Sequence, residues 1–131
     1  MKYIVDTPKT VTQTAVDLEI AVKKHGFGVL GVHDLHKTLN AKGVSFSHEC
    51  LAFEVCNPHR AKEVLDADMS LNMALPCRIS VYSDKGVTKI GMISPRAMLG
   101  MLSDSPELAG VAEDVENTLI TIINEAQAAA A

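Results

Sequence analysis

Tryptophan is missing from this sequence, and three Phe and two Tyr are its only other large rings besides histidine. Its core must therefore be aliphatic, filled by Val, Leu, Ile, Met and Ala. Basic residues are missing from residues 102 to 131, where Asp104, Glu107, Glu113, Asp114, Glu116 and Glu125 stand without a Lys or Arg. Elsewhere 12 basic residues meet the other ten of the 16 acidic ones, so the rest is near neutral. There is no basic stripe and no interleaving of aromatic with basic residues, so nucleic acid is not an expected partner. No apolar run approaches the roughly eighteen residues of a membrane span, and "MKYIVDTPKT" reaches Asp6 and Pro8 too early for a signal peptide. The three cysteines are an odd number with no C-x-x-C spacing. Without a secretory signal they read as reduced thiols of a cytoplasmic protein. Repeats and linkers are lacking too. The chain reads as one domain over 1–127, with a frayed Ala tail at 128–131.

What is present is a regular alternation of elements. "KYIV" makes a first strand. Thr10 caps a helix, with Gln13 placed to complete a capping box, and Val11, Ala15, Leu18 and Val22 recur at helical spacing. "FGVLGVH" follows as a strand in which Gly28 and Gly31 mark a bulge or a close backbone approach. A strand, a helix and a returning strand point to a crossover with parallel pairing. Asp34 caps a short helix that Gly43 ends. "VSFSHECLAFEVC" reads as one long strand, its first half at an open edge. Asn57 at the cap and Pro58 at the first helical position start another helix, with Ala61, Val64 and Leu65 inward. "SLNMALP" adds a helical turn. "CRISVYSDKGVTKIGMIS" is a hairpin turning at Asp84-Lys85-Gly86. Ser94-Pro95 and Ser105-Pro106 repeat the cap-then-Pro start. In the last helix Leu108, Val111, Ala112, Val115, Leu119, Ile122, Ile123 and Ala126 form one stripe. The expected fold is α+β in two layers: a mixed sheet of about five strands covered by helices, in the order strand, helix, strand, helix, strand, helix, hairpin, helix.

The stretch "FEVCNPHRA" carries the main chemical expectation. Cys56 stands one residue before the Asn57 cap, at the electropositive end of the helix, with His59 and Arg60 in the first turn. That setting lowers a thiol pKa and makes a reactive thiolate. The competing account is a small, inert core residue. Cys77, after Pro76, opens the next strand and can approach Cys56 if the two strands are neighbours. A metal set of His48, Cys50 and Cys56 with His59 has soft N/S donors, but Cys50 and Cys56 lie about 20 Å apart along an extended strand. His33, Asp34 and His36 read as a capping Asp beside surface histidines. Gly26, Gly28 and Gly31 follow a helix and open a strand, the reverse of a dinucleotide fingerprint. Met69, Met73, Met92, Met98 and Met101 could supply a haem ligand or a pocket, and their plainer role is to fill core gaps. No Ser-His-Asp spacing or carboxylate pair commits the chain to catalysis.

Four segments together, "HGFGVLGVHDLHKTLNAKG", "FEVCNPHRAKEVL", "LPCRISVYSDKG" and "ELAGVAEDVENTLITIINEA", resemble a widespread prokaryotic family of small proteins known only as domain of unknown function 302. The resemblance spans nearly the whole chain. It implies a two-layer α/β fold with a mixed sheet, often as a homodimer. Its motif falls on Gly26, Phe27, Gly28, Asp34, Cys56, Asn57, Pro58, Pro76 and Cys77 and attaches no activity to them. The expectation is a cytosolic binding or carrier module presenting Cys56, with Asn57, His59, Arg60 and Cys77 around it, for thiol, persulfide or redox chemistry on a small thiol or sulfur ligand. An enzyme using that thiolate as nucleophile, a metal- or haem-binding protein, and a structural dimer are the alternatives.

Overall fold

The structure, a computed structural model, describes residues 1–128; of the expected tail, residues 129–131 lie outside the described residues. Five strands form one sheet: β1 (Lys2–Thr7), β2 (Gly28–Asp34), β3 (Cys50–Cys56), β4 (Cys77–Asp84) and β5 (Val87–Ile93). Five helices accompany them: α1 (Val11–Lys24), α2 (Leu35–Ala41), α3 (Pro58–Ala67), α4 (Pro95–Leu102) and α5 (Pro106–Gln127), with a 3-10 segment at Met69–Ala74. No helix among the described residues is long and apolar enough to cross a membrane.

The sheet order is β1-β5-β4-β3-β2, and every neighbouring pair is antiparallel. The expected mixed sheet is thus corrected. β1 and β2 do not pair; α1 carries the chain from one edge of the sheet to the other. A strand–helix–strand pattern fixes only that the second strand returns, and here three later strands fill the space between. The long strand expected from Val44 is also shorter, because β3 begins at Cys50. Ahead of it the Asn40 side chain donates to the carbonyl of Phe46 and accepts from its N–H, which holds that segment as a loop.

Side-chain polarity explains the rest. Phe53, Val55, Ile79, Val81 and Ile90 are buried, and all share the strand face that packs under α1 and α5. Thr10, Asp34, Asn57, Ser94 and Ser105 each cap a helix through a side-chain oxygen. Only half of the capping box at Thr10 forms, since the Gln13 side chain donates to Asp17 instead. The Ser94 hydroxyl also donates to the Glu116 carboxylate, tying α4 to α5. Lys85 and Gly86 both have positive φ, as a tight two-residue hairpin requires. A bulge falls between Val29 and Gly31, where the glycines of β2 led one to expect it.

The opposite face of the sheet is shaped by small residues. Register places Ala52, Ser80, Gly91 and Ile4 in one row across four strands. A Cβ on Gly91 would meet the Tyr3 carbonyl oxygen at 2.7 Å and Ile4 Cγ1 at 2.9 Å. Glycine is therefore needed for β1 to approach β5 so closely.

Candidate functional site

β3 ends at Cys56 and α3 begins at Pro58, with Asn57 between them as cap. The Asn57 side-chain oxygen accepts from the N–H groups of His59 at 3.1 Å and Arg60 at 3.3 Å. The position expected for Cys56 is therefore the one it occupies. Its electrostatics differ from the expectation: burial pushes the Cys56 thiol up, not down. Two physical reasons are visible. The Asn57 oxygen already occupies two of the free donors at the helix mouth. Cys56 is half-buried and lines a small apolar pocket of about 30 Å³ among Phe27, Val55, Val64 and Val115, a lining in which a bare thiolate is less well solvated than in water. Arg60 does not offset this. Its guanidinium is engaged by Glu63 at 3.2 Å and by Asp114 at 3.2 Å. His59 is exposed.

Cys77 lies opposite Val55 in the β3–β4 ladder, so Cys56 sits one residue beyond it on the neighbouring strand. The two cysteines line the same small apolar pocket, as their strand ends allow. Burial first, and the charge of Cys56 second, push the Cys77 thiol up to about 11. All three cysteines are free thiols.

The third cysteine is elsewhere. Cys50 is at the far end of β3, its thiol pushed up by burial first and by the Asp34 carboxylate second. His48 Nδ1 donates to the Ser83 carbonyl at 3.0 Å, and His36 Nδ1 to the His48 carbonyl at 2.9 Å. The fold leaves the expected set of His48, Cys50, Cys56 and His59 spread along the strand and its ends. Among the described residues no group of three or more His, Cys, Asp or Glu side chains could hold a metal ion.

Sequence reasoning missed a second, wider concavity. A cleft of about 450 Å³ runs from the face of the sheet opposite α1, at Glu54, Arg78, Ser80 and Gly91, round the sheet end to Cys77, Met92, Met98 and Leu119 on the helix-covered side. Its floor includes the small residues Ser80 and Gly91, and its charged lining is Lys2, Glu54 and Arg78. Glu54 accepts from His33 Nε2 at 2.8 Å and lies 3.6 Å from Arg78. The β4–β5 ladder starts at Ile79 opposite Met92, so Cys77 and Arg78 run past the end of it. There the cleft deepens and reaches Cys77, with Met73, Pro76 and Met98 in its wall. Cys77 thus borders both the cleft and the small apolar pocket. The one sequence signal for this cleft was the polar alternation of Arg78, Ser80 and Tyr82 opposite a mixed β3.

The methionines also depart from expectation. Met92 is core, 6% exposed, but Met69, Met73 and Met101 are exposed, Met73 by 83%. They do not fill core gaps.

The family model described as Domain of unknown function DUF302 matches residues 3–126. The crystal structure of an uncharacterized conserved protein DUF302 from Bacillus stearothermophilus is similar to this chain at 36% sequence identity with a TM-score of 0.91. The match covers 95% of this chain and 97% of that one. No curated protein matches the sequence.

Proposed function

Since this chain belongs to the DUF302 family, a domain of unknown function, we propose its role from the cleft alone: it is a small binding module that takes a small ligand on the open face of the sheet, with a cysteine thiol in the wall of the site. The observation that carries this reading is a cleft of about 450 Å³ with Cys77 in its lining, a volume in the range of small-molecule sites. The thiol on offer is Cys77, with Cys56 beside it in the lining of the small apolar pocket. It is a protonated thiol at neutral pH, suited to holding a ligand and poorly suited to attacking one. Three free thiols fit a reducing, cytosolic setting.

Binding of anilinonaphthalene sulfonate, an apolar anion, tests the site. The native protein is expected to bind it saturably, and Ser80→Trp, which fills the floor, to abolish binding while keeping the native circular dichroism. The bound probe should also slow iodoacetamide labelling of Cys77 and leave Cys50 unchanged. Labelling of free Cys77 should rise about tenfold per pH unit to about pH 10, because only the thiolate reacts. Probe binding that survives Ser80→Trp, or labelling of Cys77 indifferent to the probe, overturns the reading. A plateau in labelling at about pH 9 would contradict the buried thiol.

A second copy of the chain is the partner in this reading. Leu30 and Val32 are exposed on β2, an edge strand without Lys or Pro to blunt it. Sedimentation should give a dimer mass, and a monomer in the micromolar range counts against it.

A further inference from the structure

Four sulfur-bearing side chains line the cleft: Met73, Cys77, Met92 and Met98. Each comes from a separate part of the fold. Met73 is near the end of the 3-10 segment, Cys77 opens β4, Met92 is near the end of β5, and Met98 is in α4. Met73 and Cys77 flank the Leu75–Pro76 turn, and α4 packs against the 3-10 segment. Packing accounts for Met92 but not for Met73, which is almost fully exposed. Met69 and Met101 are exposed as well but lie outside the cleft lining, so what marks Met73 is its place in that lining with Cys77 and Met98, where a thioether is a soft donor.

We propose that this end of the cleft is a Cu(I) site, with Cys77 as the thiolate ligand and Met73 and Met98 as thioether ligands. Thiolate and thioether donors select Cu(I) among biological cations. Zinc draws on His, Cys, Asp and Glu, and the described residues bring no three of these together. Binding exchanges one cation for another: the Cys77 S–H bond breaks, the S–Cu bond forms, the proton goes to water, and no electron moves. The exchange also answers two apparent objections. Burial disfavours a bare Cys77 thiolate, but a copper thiolate is neutral. Lys2 and Arg78 share the cleft, and they do not repel a site whose net charge is zero.

The inference rests on the reading of the cleft as a ligand site, and it can fail separately from that reading. The test is anaerobic titration of the whole protein with Cu(I) alone against bicinchoninate, read by competitor absorbance and by the ultraviolet thiolate-to-copper band. One equivalent is expected to be held. Cys77→Ser should abolish that binding. The double variant Met73→Leu, Met98→Leu keeps side-chain size and every thiol, so it stays informative if Cys77→Ser fails to fold; it should weaken binding by about tenfold or more. Cys50→Ser should bind as the parent does. No copper retained against the competitor overturns the metal site. So does retention unchanged in the double methionine variant, which would mean that copper sits on thiols alone. Saturable anilinonaphthalene binding with no copper retained would leave the cleft as a site for organic ligands only and overturn this inference without touching the first.

Discussion

The stretch of sheet under α5 and the end built around the 3-10 segment use their apolar residues in opposite ways. Along α5, Leu119, Ile122, Ile123 and Ala126 are fully buried, and the helix contains no methionine. Around the 3-10 segment and α4, Met69, Met73, Met101 and Leu102 stand exposed, and Met73 lines the cleft. Stability is concentrated in the first region. The second keeps apolar, polarisable surface in water and leaves space unfilled.

The sharpest way to break this contrast is to attack the first region. Ile122 has no exposed surface, so Ile122→Ala removes buried methylenes and leaves a cavity, at a cost of about 3 kcal/mol. Urea unfolding measures it as a lower midpoint at constant slope. A cost under about 1 kcal/mol would mean that α5 packs loosely and that the two regions do not differ in kind.

The same contrast explains what could be read from sequence. The buried stripe of α5 is the one expected from its spacing, residue for residue. A long amphipathic helix against a sheet leaves its pattern little freedom, so periodicity alone suffices. Caps at Thr10, Asp34, Asn57, Ser94 and Ser105 were legible for a similar reason, since each is a local hydrogen bond. The order of strands was not legible. Whether β1 pairs with β2 or with β5 depends on strands that come much later in the chain. The position of Cys56 could be read from Asn-Pro, but not the direction of its pKa. That direction depends on Phe27, Val55, Val64 and Val115 closing around it, and these residues are distant in sequence. The cleft was hidden because its floor is opened by Ser80 and Gly91, small residues paired on neighbouring strands, and smallness leaves no periodic mark.

Asn57 stands where the two regions meet, so its removal should fall between them in effect. Asn57→Ala loses an acceptor for two backbone N–H groups and should cost about 1 kcal/mol. Chemical denaturation again measures it. A change indistinguishable from zero would show that water caps α3 equally well, and the helix mouth beside Cys56 would then be open after all. In that case Cys56 labelling should shift toward lower pH in the variant.

The smallest expected effect is the most instructive. Met73→Ser replaces a side chain that is 83% exposed, in a segment whose one buried residue is Leu71. Surface substitutions of this kind change stability by no more than about 0.5 kcal/mol. Unfolding of the metal-free protein should therefore superimpose on that of the parent. If it does, packing gives no reason for methionine at this position, and the copper titration of the double methionine variant decides whether the thioether is a donor. If Met73→Ser instead costs more than about 1 kcal/mol, Met73 is packed in solution as Ile122 is. The exposed end would then be a second piece of core, and neither the cleft nor its sulfur lining would need a ligand to account for it.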